Sequence, residues 1–484
     1  MKKLVSLFLA LALLVTAVPY AMAEAPSDKP TLRVLGTYNG HDPNNDPTAQ
    51  AIEEKTGYHV EYFMLPTENA LENLMMQIAS GESYDILRIG EDMYQELLSR
   101  NALLPLDDLL AAYGPNLTTR IFPEAYGMTT GADGKIYGIP MMSERACISN
   151  GLVMRKDILD ELNLAVPTTP AELKDVLVAV KAAHPELIPL LTYDEHFIPI
   201  IASGFGFYFD WNDVDGTLTH YVEMPQYKEY LAYMTDLYAS GLLDADLAVN
   251  NSTTRTEKFS SDNAFAYNTW SWVDGAVTSY INNHGESADN LVFIAPLKDE
   301  NGSAGIKRTQ GLNNVSCIPV TAANPEAAVA FMNRKLDEDV FTYITLGTKD
   351  ETFTVDENGR YEPIMPIFSE LRNNAWWYLN SFDMTCYGDM WLARLRRTKA
   401  TSLIFDGLAQ YEDEYGCYDP VDLCPSLDAV VENKVKLNTM VKDYALQVIV
   451  GVKKAEDHDA FVSEWLAEGS QAMKDAYNGW YQSK

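Results

Sequence analysis

Cysteine is sparse in this chain, with five in 484 residues. None sits in a C-x-x-C pair, which argues against zinc-ribbon and thioredoxin-type chemistry. The five are Cys147, Cys317, Cys386, Cys417 and Cys424, and an odd count leaves at least one thiol free. Cys417 and Cys424 flank an Asp419-Pro420 turn. A small disulfide loop and a set of buried, reduced thiols both remain open there. Basic residues are scarce too: 36 Lys and Arg stand against 69 Asp and Glu, a net charge of −33. Such a chain repels nucleic acid and anionic lipid. G-x-S-x-G, H-E-x-x-H, Walker A and G-x-G-x-x-G motifs are all missing, which removes the commonest hydrolase, metalloprotease and nucleotide-binding signatures. A glycoside hydrolase needs only two placed carboxylates, and 69 acidic residues always offer a pair, so a secreted hydrolase stays as the alternative function.

Long apolar runs are missing after the first twenty residues. Lys2-Lys3, the apolar stretch Leu4 to Val18 and the small-x-small Ala21-Met22-Ala23 form a secretory signal peptide, residues 1–23, with the mature chain starting at Glu24. A membrane-spanning helix needs about 20 apolar residues, and no later segment offers them. No cysteine adjoins the cleavage site, so a lipid-attached N-terminus is not indicated. These features predict an exported, soluble protein.

What is present is an ordinary globular composition tilted toward aromatics, with 47% hydrophobic residues, 28 Tyr and 8 Trp. The length points to two or three domains. Strands are expected at Thr31–Gly36, Tyr58–Met64 and Tyr84–Ile89, with helices at Thr48–Thr56, Asn69–Ser80 and Met93–Ser99 between and after them. This alternation predicts a mostly parallel sheet with covering helices. Ligands of such sheets bind at the carboxyl ends of the strands, here Thr37 to Asn39 and Gly90 to Asp92. Further on, Thr169-x-x-Glu172 caps a helix Leu173–His184, and helices follow over 227–240, 325–336 and 464–481. Ala264-Phe-Ala-Tyr-Asn-Thr-Trp-Ser-Trp272 is the most pointed stretch: an apolar strand that ends in two tryptophans. A flat ring at the end of a rigid strand can stack on a ligand ring and suits a binding site; the competing reading is buried core.

Eight landmarks occur in order. They are the strand and polar loop of Leu32 to Asn39, SGESYDILRIGEDMYQELLSRNALLPLDDLL (80–110), DGKIYGIP (133–140), LVMRKDILDELNLAVPTTPAEL (152–173), YKEYLAYMTDLYASGLLD (227–244), AFAYNTWSW (264–272), LVFIAPL (291–297) and WLAEGSQAMKDAYNGWYQ (465–482). Together they resemble the extracellular solute-binding proteins of carbohydrate ABC transporters, the group that includes the maltodextrin-binding protein. The nearest likeness is to the large oligosaccharide-binding members of Gram-positive bacteria. The resemblance implies an α/β, two-lobe periplasmic-binding-protein type II fold with discontinuous lobes joined by a hinge. It places first-lobe segments at 24–143 and 291–322 and second-lobe segments at 144–290 and 323–484. Chain crossings then fall near Pro140–Cys147, Leu291–Leu297 and Pro319–Pro325. It further implies a sugar or other small solute as ligand, ABC permease subunits as partners, a monomer and no catalysis.

Candidate ligand contacts follow. By the resemblance Trp270 matches the family's cleft-facing tryptophan, with Trp272 beside it. Glu91 and Asp92 offer carboxylates that accept from sugar hydroxyls, or else cap the next helix. Tyr38 and Asn39 offer a ring and an amide at the end of the first strand. Arg145, beside Glu144, sits at the first crossing, either on the ligand or in a salt bridge between lobes. Tyr193, in Tyr193–His196, stands where the family carries contacts. Asn313 and Asn314 lie in a short loop before a strand. Trp376 and Trp377 form an aromatic pair flanked by amides, with core packing as the alternative. The calcium loop of some alginate- and oligosaccharide-binding members is replaced here by His184–Pro189. Asp210–Gly216 misses EF-hand spacing, so no metal and no cofactor are expected.

Overall fold

A strand that is apolar on both sides needs cover on both sides, and the first strands of this chain have that character. The structure, a computed structural model, describes residues 29–483 apart from 39–40, 67, 143–147, 149, 272 and 382–385. Strands β1 (Leu32–Gly36), β2 (Val60–Met64) and β3 (Ile86–Ile89) run parallel, β1 lying between the other two. Leu32 and Val34 enter one apolar cluster while Leu35, Leu87 and Ile89 enter another on the opposite face. β4 (Gly138–Met142) closes this first sheet, but a strand from far along the chain separates it from β3.

The second sheet is built from β5 (Gly151–Arg155), β6 (Ile188–Leu191), β9 (Ala264–Thr269) and β10 (Leu291–Ile294), in the order β10-β5-β9-β6. A hairpin of β7 (Trp211–Val214) and β8 (Thr217–His220) stands apart from it. Leu152, Met154 and Leu190 face one cluster, Val153 and Leu191 another. The helix Pro170–Ala183 begins three residues earlier than expected, with Pro170 at its first position; Thr169 accepts from the Glu172 N–H at 3.3 Å, and the Glu172 carboxylate reaches back to Thr168.

After β10 the chain makes β11 (Ile306–Lys307) and then β12 (Leu312–Cys317), which inserts between β3 and β4, antiparallel to both. A hairpin of β13 (Phe353–Val355) and β14 (Tyr361–Pro363) follows, and β15 (Gly416–Cys417) pairs with β11.

Lobe membership departs from expectation at two places. β10 pairs with β5, so 291–294 belongs to the second lobe, and the chain returns to the first only through 308–311. The helix Pro325–Arg334 stays with the first lobe: Ala327, Ala328, Phe331 and Met332 share a cluster with Leu32, Ile52 and Leu106. The reason is local. β12 ends in the first sheet, and only a short link precedes that helix. Asp85 holds the link by accepting from the Asn324 N–H at 2.8 Å. Each fully buried Phe or Ile of such a face contributes about 1.5–3 kcal/mol. The third crossing therefore falls near 396–398. It lies between the helix Gly388–Leu395, packed on the first lobe, and the helix Lys399–Ala409, whose Ala400, Ile404 and Leu408 pack against Val153 and Phe293.

The first two crossings touch. Ile148 forms a bridge with Arg308, whose N–H donates to Cys417 O at 2.8 Å. Beside them Lys307 Nζ reaches Asp419 at 2.9 Å and Asp422 at 2.5 Å. Burial raises the Asp422 carboxyl against the pull of Lys307. Cys417 and Cys424 are not joined; the Cys417 thiol donates to Ile306 O at 3.3 Å.

Candidate functional site

Topology brings two sheet edges to face each other. In the first sheet the carboxyl ends of β1, β3 and β4 and the amino end of β12 lie on one edge. In the second sheet the amino end of β5 and the carboxyl ends of β6, β9 and β10 do so. The chain leaves the first edge after Met142 and enters the second at Asn150, so these are the edges that look across the hinge.

On the second edge, Trp270 follows β9 directly. The six strand residues before it are buried, yet Trp270 is 50% exposed. A core tryptophan would not be. Asp274 fixes the turn behind it, accepting from Trp270 N at 3.4 Å, Ala276 N at 2.8 Å and the Tyr267 hydroxyl at 3.1 Å. Desolvation raises the Asp274 carboxyl, while these donors lower it. Tyr193, two residues past β6, is half-buried: its N–H donates to Asn268 Oδ1 at 2.9 Å and its hydroxyl meets Asn150 Oδ1 at 3.1 Å. The Arg255 guanidinium lies 5.3 Å from the Tyr193 ring, within cation–π range. Its Nε is buried and makes no hydrogen bond among the described residues. Arg255 sits on the polar helix Ser252–Ser260, and nothing in that segment's pattern singles it out.

On the first edge, Glu91 and Asp92 open the helix Glu91–Ser99; its N-cap is Gly90, so neither carboxylate serves as the cap. Glu91 is half-buried and raised by desolvation, with Lys434 pulling the other way. Lys434 belongs to the helix Asp428–Ile449, packed on the second lobe, so Glu91 senses charge across the hinge. Asp92 is exposed. Asn313 is the extra residue of an irregularity in the β12–β4 pairing and accepts from Asn314 Nδ2 at 2.7 Å; such a bulge re-aims a side chain at a sheet end. Trp376 and Trp377 are partly buried and meet edge to face, ring centroids 4.4 Å apart, with the Arg88 guanidinium 4.9 Å from the Trp376 ring.

Tyr38 requires a correction. It is only 2% exposed and packs against Tyr62 and Tyr378, with centroids 5.8 Å away in both cases. Side chains alternate along an extended chain, so Tyr38 continues the inward row of Leu32 and Val34. Its ring belongs to the core of the first lobe and presents no stacking face. Asn39, Arg145 and Trp272 lie outside the described residues. Arg88 also escaped the sequence reading, although a lone arginine in the buried run Ile-Leu-Arg-Ile is itself a signal.

The family model for bacterial extracellular solute-binding proteins matches residues 48–348. The chain belongs to that family. Its members are exported solute receptors, and the two α/β lobes with a discontinuous chain are their type II fold. The chain is 30% identical over 255 residues to an uncharacterized protein in the butB 5' region of Niallia circulans, covering 53% of this chain and 99% of that one. It is 26% identical over 360 residues to the polygalacturonan/rhamnogalacturonan-binding protein YtcQ of Bacillus subtilis, covering 69% and 70%. Among solved structures it matches an HMO-binding, ABC-transporter-associated solute-binding protein of Bifidobacterium longum infantis, with TM-score 0.72, 18% identity and coverage of 94% and 98%.

Proposed function

We propose that this solute receptor captures an oligosaccharide between its two lobes and delivers it to a membrane ABC permease. The observation that carries the reading is Trp270: a half-exposed indole at the end of a fully buried strand, on the edge that faces the other lobe. Such a ring holds a pyranose face while leaving its hydroxyls free. Around it, Tyr193 and Asn150 on the same edge, and Glu91, Asp92 and Asn313 opposite, supply acceptors and amides for those hydroxyls. Trp376 and Trp377 extend the first-lobe wall. YtcQ, whose name assigns it polygalacturonan and rhamnogalacturonan, supports an oligosaccharide as the ligand class. Lobe closure on the sugar follows from tighter contacts in the closed state. Cleavage after Ala23 and a monomeric mature protein complete the proposal.

Purified mature protein incubated with neutral and acidic oligosaccharides tests this. The expected result is a thermal shift and calorimetric binding with one sugar class, the sugar being recovered intact. Recovery of shortened products would replace the receptor reading with a glycoside hydrolase. Binding only to peptides would replace the ligand class.

A further inference from the structure

Two cations share one enclosure inside the first lobe. Arg88 on β3 is 5% exposed and Lys335, just past the helix Pro325–Arg334, is 7% exposed; both line a small cavity of about 20 Å³. Tyr38, Tyr378, Ser316 and Asn380 line it as well, and no aspartate, glutamate or histidine does. The polar groups leave capacity over. Arg88 donates through Nη2 to Trp376 O at 3.2 Å and approaches Met141 Sδ at 3.5 Å, but its Nε and Nη1 are buried without a partner among the described residues. Lys335 Nζ donates once, to Tyr378 O at 2.7 Å, and an ammonium carries three protons. Neither cation has a carboxylate in ion-pair contact among the described residues, in a chain whose net charge is −33. An uncompensated buried charge is strongly destabilising. Aromatic rings relieve part of this, with Trp376 4.9 Å from the guanidinium and Phe331 4.8 Å from the ammonium.

We propose that this cavity is a binding site for one small inorganic anion, a halide such as chloride, coordinated by Arg88 and Lys335. Size selects the occupant. A cavity of about 10–15 Å³ holds a single water, so about 20 Å³ suits a monatomic anion better than sulfate, phosphate or a sugar acid. Donor chemistry favours an anion: Arg88 Nε and Nη1, the remaining Lys335 protons and the Tyr38 hydroxyl belong to residues that line this cavity, against one unpartnered acceptor, Asn380 Oδ1. Burial holds the Lys335 ammonium down at about 7, with the Arg88 charge adding to the effect. Burial likewise lowers Arg88 to about 10, which leaves it cationic at neutral pH. An anion in the cavity favours the charged form of Lys335 and compensates the charge of Arg88. Because Arg88 also touches the Trp376 backbone, the occupant steadies the aromatic wall of the first edge. The assignment stands apart from the choice of sugar.

The test uses wild-type mature protein. In crystals grown with bromide, an anomalous peak is expected inside the cavity, within hydrogen-bond reach of Arg88 and Lys335; a cavity without that peak overturns the proposal. In solution, Tm should rise with chloride or bromide concentration but not with gluconate at equal ionic strength, as expected for a ligand that binds only the folded state. Lys335→Met should abolish the halide dependence. Equal Tm in both salts overturns the site. A rise with galacturonate in place of halide transfers the cavity to the sugar ligand and overturns the halide assignment. If Lys335→Met does not fold, the bromide crystals and the wild-type salt series decide alone.

Discussion

The two facing edges treat their aromatic residues in opposite ways. On the second lobe, β9 ends with its last side chains buried and hands on to an indole that stands half in solvent, braced from behind by Asp274. On the first lobe, the ring that follows β1 turns inward, and Trp376 and Trp377 lean on Arg88. The difference lies in the path of the chain past the strand end. After β1 the chain runs on without a bend and carries Tyr38 into the core. After β9 it bends at Trp270, and the indole is released to the surface. Aromatic residues at strand ends thus divide into platforms and plugs, and the chain's path beyond the strand decides which.

The sharpest way to break this contrast is Tyr38→Ala. Removing a buried aromatic ring is expected to cost about 3–4 kcal/mol of stability, read by urea unfolding. Unchanged stability with lost sugar binding would return Tyr38 to the ligand surface. Trp270→Ala should do the reverse: apo stability within about 0.5 kcal/mol of wild type, as for a surface change, and sugar affinity weaker by about 2 kcal/mol, roughly thirtyfold by calorimetry. A stability loss comparable to that of Tyr38→Ala would make Trp270 a plug as well.

A third test belongs to neither edge but to the joint between them. Asp422 beside Lys307 is raised to about 7 by burial, against roughly 4 in the unfolded chain. Its proton is therefore held more tightly in the folded state. That contribution to stability is complete below about pH 4 and is lost as pH rises to about 7. Asp422→Asn should flatten this part of the Tm-against-pH curve; an unchanged slope would assign it to another group.

The sequence pattern discloses the elements better than their partners. Buried parallel strands such as Leu32–Gly36 and Ile86–Ile89 are short apolar runs between turn signals, and they lie within two residues of their expected limits. Lobe membership was less legible. Leu291–Ile294 reads as a strand either way, and only pairing with β5 puts it in the second lobe. The helix Pro325–Arg334 has an apolar face that fits any core. At the candidate site, Trp270 announced itself through its place after an apolar strand. Arg255 and Lys335 lie in polar segments where a cation is unremarkable, and only the fold shows Lys335 enclosed and Arg255 half-buried beside Tyr193. Tyr38, like Trp270, is an aromatic residue just past a strand, and only the fold shows that its ring is buried.

The insertion of β12 between β3 and β4 sets an order of events for the whole chain. Residues 32–142 contain four of the five strands of the first sheet, but β3 and β4 never touch without Leu312–Cys317 between them. All strands of the second sheet, the last ending at Ile294, thus precede in the chain the strand that closes the first. Such wide sequence separation slows folding. A nascent chain that has not yet released residue 312 holds its first lobe open, with two strand edges waiting for a partner still to come.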